Sequence, residues 1–157
     1  MRFTAATGLR RGEVLGLLAS DIDLGRKRVN VEARKTEAGG RQVPITAAVI
    51  PVITEQLDRI GGKGWLFPNM AGGQMDGAGM YKRHYVPATV RAGLAPLRFH
   101  DLRHTFAALM IRAGATSFHL KTWMGHSSIN VTYDVYGHLF DEDDPEVMAA
   151  FDESFAG

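Results

Sequence analysis

The stretch Arg98-Phe-His-Asp-Leu-Arg-His-Thr-Phe106 interleaves two kinds of residue at helical spacing. His100, Arg103 and His104 fall at i, i+3 and i+4, so a helix carries all three on one side, while Leu102, Phe106 and Leu109 occupy another. The apolar side is ordinary core material. The polar side joins a guanidinium, which grips phosphate oxygens bidentately, to imidazoles that exchange protons near neutral pH. That pairing suits phosphate chemistry. The plain alternative is a solvated helix face, and partners from other segments decide between the two.

The 157 residues are about one domain in length, and an apolar fraction of 45% is enough for a sizeable core. No apolar run is long enough to span a bilayer, and the opening Met1-Arg-Phe-Thr-Ala-Ala-Thr7 is too short and polar for a signal peptide, so the expectation is a soluble, unexported protein with no membrane partner. Cysteine is absent, which excludes disulfides, zinc–thiolate sites and thiol nucleophiles. A nucleophile must therefore be Ser, Thr, Tyr, Lys, Asp, Glu or His. The net charge of +1 conceals an asymmetry: residues 1–112 hold 17 Lys/Arg against 9 Asp/Glu, an excess of +8, and residues 113–157 hold 1 against 8, an excess of −7. A basic body favours a polyanionic partner, with nucleic acid the usual one.

Working outward from the central stretch, the pattern predicts an α+β domain, mainly helical, with a small three-stranded antiparallel sheet near the N-terminus. Thr7-Gly8 reads as a helix entry and Leu9–Ala19 as one helix, with Leu9, Leu15, Leu17 and Leu18 available for the core. Few residues precede it, which points to an excised leading domain. Arg10 and Glu13 lie at i, i+3 on that helix: either a surface ion pair of ~0.2–0.5 kcal/mol, or Glu13 bracing Arg10 toward an anion. Asp21–Leu24, Arg28–Glu32 and Arg41–Ile45 read as strands, with turns at Gly25-Arg-Lys27 and Ala38-Gly-Gly40. Lys35-Thr36 falls just before the second turn, at a hairpin tip from which an ammonium can be projected.

Ala47–Ile60 is the next expected helix, with Val49, Ile50, Ile53, Leu57 and Ile60 inward and Pro51 in its first turn. Trp65–Pro68 reads as extended, 69–79 as a Gly/Met-rich loop, and Met80–Ala92 as a helix with Lys82, Arg83 and Arg91 on a solvated face. Thr116–Met124 is a short helix capped by Gly125, which leaves His126 in a turn. The acidic run Asp141-Glu-Asp-Asp-Pro-Glu146 leads to Val147, Met148, Phe151 and Phe155, an apolar stripe on a final short helix that needs a partner surface.

Four segments taken together, Thr7-Gly-Leu-Arg10-Arg-Gly-Glu13, Lys35-Thr36, His100-Asp-Leu-Arg103-His-Thr-Phe106, and Gly125-His126-Ser-Ser-Ile129 followed by Tyr136-Gly-His138, resemble the catalytic domain of the tyrosine recombinases, specifically the phage-type integrases. The resemblance runs from Thr7 to about Phe140. It implies a catalytic domain over 1–140, an acidic linker and docking helix over 141–157, and core-binding and arm domains that this chain lacks. It also implies that Arg10 and Arg103 clamp the scissile phosphate, that Lys35 is the hairpin lysine, and that His100 and His126 are the two active-site histidines. Tyr136 matches the nucleophile, followed by Gly137-His138; Tyr133 is the alternative and lacks that context. Glu13, His104 and His138 are supporting residues, and Arg11, Arg34, Lys35, Arg41, Lys82 and Arg83 are candidate DNA contacts. The implied partners are double-stranded attachment-site DNA, further copies of the chain forming a tetramer on DNA through 145–157, and accessory DNA-bending or directionality proteins, in a bacterial cytoplasm at the nucleoid. No metal or other cofactor is implied.

The residue types also make chemical sense in themselves. In-line attack on a phosphodiester adds charge to its nonbridging oxygens, so two guanidiniums and a hydrogen-bonding imidazole stabilise the transition state preferentially. A phenol with a pKa of ~10 is only about 0.1% ionised at pH 7, so Tyr136 needs a proton acceptor, for which His100 is the candidate. Lys35 can protonate the departing 5′-oxygen. The product is a 3′-phosphotyrosyl enzyme that keeps the bond energy for rejoining without ATP. A type IB topoisomerase-like enzyme would share this chemistry, and a non-catalytic DNA-binding module would explain the basic body alone. A metal hydrolase on His100 and His104 is disfavoured, because Asp101 follows where the metalloprotease motif has Glu.

Overall fold

The computed structural model describes residues 1–32, 40–140, 149 and 151–154. Arg34 and Lys35, most of the second turn, the whole acidic run 141–146 and most of the final apolar stripe lie outside the described residues.

The N-terminal region departs from the single helix expected over 9–19. Residues that looked too few to form an element make α1 (Arg2–Thr7), which ends at Gly8 with φ 64° and ψ 14°. Gly8 has two reasons to be glycine: that left-handed backbone, and a Phe106 ring into which any Cβ would be driven. The chain then extends through Arg10 (φ −66°, ψ 151°), and Glu13 accepts the Arg10 N–H at 2.7 Å, so a second helix, α2 (Arg11–Leu15), begins there. Gly8→Ala is expected to destabilise the fold by about 2–4 kcal/mol, combining left-handed strain with overpacking against the ring; urea unfolding of the two chains measures it.

The strands are shorter than read but in the expected places: β1 (Ile22–Asp23), β2 (Arg28–Val31) and β3 (Arg41–Pro44), antiparallel in the order β1-β2-β3. Val29 pairs with Val43, and both are fully buried, so the period-two alternation puts one sheet face into the core. Helix α3 (Ile50–Arg59) lays Ile53 against that face, with Val49 just before it and Pro51 in its first turn. This first core cluster includes Phe3, Leu9, Val14, Val29, Val43 and Ile53.

The helix expected over 80–92 starts earlier. Asp76 accepts the N–H groups of Ala78 and Gly79 and so starts α4 (Gly77–Met80), which continues through a π-helical turn (Tyr81–Tyr85) into α5 (Val86–Arg91). Pro87 explains the wide turn: proline has no N–H for the carbonyl four residues back and its ring presses on it, so the register opens just before the ring. Helices α6 (Asp101–Arg112), α7 (Ser117–Met124) and α8 (Ile129–Tyr136) build a second cluster from Phe106, Ala107, Leu120, Met124 and Tyr136. Trp123 lies against both clusters, so the end of α7 sits at the seam between the sheet half and the helical half.

Candidate active site

Arg10, Arg41 and Arg103 converge on the C-terminus of α7. Gly125 caps it with φ 67° and ψ 49°, and the last carbonyls of a helix have no partner within it and carry the negative end of its dipole. Three guanidiniums from three distant segments take three successive carbonyls. Arg41 donates from Nε to Trp123 O at 2.8 Å, Arg103 from Nη2 to Met124 O at 2.7 Å, and Arg10 from Nη2 to Gly125 O at 2.9 Å.

Arg103 is not on a solvated helix face. It is 3% exposed, and its Nη1 donates to Gly8 O at 2.6 Å, so the carbonyl freed where α1 ends orients it. Among the described residues no carboxylate forms an ion pair with it. Burial, then the nearby Arg10 cation, lowers its pKa to about 10, and it stays charged at neutral pH. Its hydrogen bonds go to carbonyls and the Glu13 carboxylate acts on it without a direct ion pair, so the buried cation keeps charge to offer a further anion. Arg10 has a side chain 47% exposed and can reach that anion. Glu13 holds Arg10 through Oε1 to Nη1 at 3.1 Å. Burial works to raise the Glu13 carboxyl, but Arg41 and Arg10 outweigh it and hold the group below its ordinary range.

The Tyr136 ring is packed in the second cluster at 4% exposure, and its hydroxyl is hydrogen-bonded to Nδ1 of His104 at 3.0 Å. Burial raises the phenol, and Arg103 acts in the opposite direction. The histidine in contact with the phenol is thus His104, where the sequence pointed to His100. His100 is exposed just before α6 and packs edge-on against His104, ring centroids 4.7 Å apart. His138 is exposed and lines a cavity of about 350 Å³ with His104 and Tyr136. Tyr133 stands on the outer face of α8, 52% exposed, its hydroxyl 3.2 Å from Ser117 Oγ.

His126 stacks nearly parallel to the Tyr136 ring and shares a 2.8 Å hydrogen bond with buried Thr132 through Nδ1. When Thr132 donates, the ring proton sits on Nε2, leaving a donor for an incoming oxygen. Burial first, then Arg103, Arg10 and Arg41, lower His126 to about 4, so it is neutral at pH 7. The unfolded chain protonates this group near 6.5. Between about 6.5 and about 4 the unfolded state therefore binds the extra proton, and stability falls as pH falls through that window. Urea midpoints at pH 7 and pH 4.5 should differ less in His126→Asn than in the unaltered chain.

The cationic candidates for DNA contact divide. Arg11, Lys82 and Arg83 are exposed, and Arg11 lies 5.6 Å over the Tyr81 ring, which brings α2 and the π turn onto one basic surface. Arg41 points the other way, inward. Its role and the His104 contact were the two features that sequence reasoning missed. His104 was visible next to Arg103, but nothing in the strand pattern marked Arg41.

This arrangement of helices around a small sheet, with arginines, histidine and tyrosine gathered at one helix end, is the tyrosine recombinase catalytic fold. It is similar to the XerA recombinase structure with a TM-score of 0.75 at 24% identity, covering 96% of this chain and 55% of that one. It also matches the Tn1549 transposon integrase in complex with transposon right end DNA, with a TM-score of 0.70 at 23% identity over 99% of this chain and 57% of that one. The family model described as the phage integrase family matches residues 1–143, and the chain belongs to that family. A tyrosine recombinase XerC-like protein of Caldanaerobacter subterraneus subsp. tengcongensis is 27% identical over 95% of this chain and 47% of its own length. The chain thus spans about half the length of that curated relative.

Proposed function

We propose that this chain carries the catalytic centre of a site-specific DNA recombinase of the integration–excision kind, cutting and rejoining DNA through a 3′-phosphotyrosyl intermediate. The observation that carries the reading is the buried Arg103, its hydrogen bonds made to backbone carbonyls, beside exposed Arg10 at the end of α7, with the Tyr136 hydroxyl on a histidine. Arg10, Arg103 and the Nε2–H of His126 hold the nonbridging oxygens. Oη of Tyr136 attacks phosphorus and the bond to the 5′-oxygen breaks. The phenol proton passes to Nδ1 of His104, in place of the His100 expected from sequence, and His100 buttresses that ring by its edge contact. Lys35, outside the described residues, supplies the proton to the 5′-oxygen. Nothing in this step requires a metal or ATP.

Arg11, Lys82 and Arg83 are the proposed contacts to the DNA backbone, with Arg34 joining them from outside the described residues. Binding should weaken steeply with salt. An apolar groove of about 500 Å³ between α1, α6 and the start of α3, lined by Ala5, Ala6, Val49, Phe106, Leu109 and Met110, is the proposed seat for the 145–157 segment of a neighbouring copy in a tetramer on DNA. The family match and a transposon integrase as structural neighbour favour recombination over topoisomerase-like relaxation or a non-catalytic module. Accessory DNA-bending or directionality proteins would act on that assembly. The test is incubation of the chain with a pool of nicked duplex oligonucleotides of randomised sequence, then denaturing electrophoresis. A DNA-linked protein band is the expected result, and its absence sinks the catalytic reading.

A further inference from the structure

Arg41 begins β3 with a side chain only 15% exposed. Its Nη1 and Nη2 donate to the two oxygens of Glu13 at 2.9 and 2.8 Å, a fork-to-fork pair, and its Nε donates to Trp123 O at 2.8 Å. The guanidinium also lies flat on Gly125: a Cβ there would come within 2.8 Å of Cζ. Gly125 O and Glu13 are the two groups that hold the Arg10 guanidinium, at 2.9 and 3.1 Å. Both of Arg10's anchors are therefore set by Arg41.

The charges give this a purpose. Glu13 is a carboxylate within reach of two guanidiniums, and it takes the better geometry from Arg41, leaving Arg10 one longer contact. A Glu13 without Arg41 would have Arg10 as its nearest cation and would close a bidentate pair with it, cancelling the charge that faces the phosphate. We propose that Arg41 is a positioning residue: by occupying Glu13 it keeps Arg10 available for the scissile phosphate. This rests on the phosphoryl-transfer reading above and departs from the expectation that Arg41 touches DNA.

The test uses opposite signs. Arg41→Gln should slow single-turnover adduct formation on the nicked duplex pool by about tenfold or more at saturating DNA. DNA affinity, read by fluorescence anisotropy on the same pool, should change little. Adding Glu13→Gln should then recover most of the lost rate, because the carboxylate that captures Arg10 is gone. A brace with only a structural role predicts the reverse, a double variant slower than either single one, and a DNA-contact role predicts lost affinity with no recovery. Either outcome, or an unchanged rate in Arg41→Gln, overturns the proposal. If Arg41→Gln does not fold, Arg41→Lys, which keeps the charge and loses the fork, is paired with Glu13→Gln in the same comparison. The unaltered chain is the control for the underlying chemistry: adduct from it with no recovery in the double variant refutes Arg41's role alone.

Discussion

Tyr136→Phe forms no covalent protein–DNA adduct on nicked duplex DNA, while Tyr133→Phe forms as much as the unaltered chain. Both substitutions remove one hydroxyl, but from different surroundings. The Tyr136 ring packs with Phe106, Leu120 and Met124, and phenylalanine fills the same space. Only the oxygen on Nδ1 of His104 is lost, so the fold should lose no more than about 1 kcal/mol. The chemistry loses its nucleophile outright. Tyr133 is half exposed on α8, in contact with Ser117 and Phe140. Denaturing electrophoresis of the trapped product separates the cases, with thermal unfolding to confirm that both variants are folded. An adduct that survives in Tyr136→Phe and vanishes in Tyr133→Phe reverses the assignment.

Arg103→Lys should lower the single-turnover cleavage rate by about 10²–10³-fold, the usual effect of removing one preorganised donor from an anionic transition state. The charge is kept, so the loss should appear in the rate and much less in DNA affinity. The reason is geometric. Arg103 spans from Gly8 O to Met124 O with two nitrogens of one rigid fork and still presents its charge to the site. An ammonium is a single point on a flexible stem and cannot hold both carbonyls while facing a phosphate. Rates and anisotropy-derived affinities measured together on the same duplex pool give the split. A loss confined to affinity would mean that Arg103 only tethers DNA.

The strand positions, the helix after Val49 and the cap at Gly125 were legible because each rests on local chemistry: alternation, a proline in a first turn, a glycine in left-handed backbone. The break between α1 and α2 was not. Leu9–Ala19 has helical spacing, and the break lies in the left-handed Gly8 and extended Arg10, a turn whose packing against Phe106, nearly a hundred positions away, leaves no room for a Cβ. The helix read over 80–92 was found, but its earlier start at Gly77 and its π turn were not, since a local proline rule predicts a disturbance without its shape.

By itself the sequence determined which groups could do the chemistry: two arginines, histidines and tyrosines at recognisable spacings, and no thiol. That information is in residue types and short intervals, which chain order preserves. Only the tertiary structure decided which of them meet. It placed His104 on the Tyr136 hydroxyl although His100 precedes it by one helical turn, buried Arg103 where helical spacing alone left a solvated face open, and turned Arg41 from the surface onto Glu13. These outcomes depend on where the carbonyls at the end of α7 come to lie relative to α1, α2 and β3, and packing between those elements sets that position.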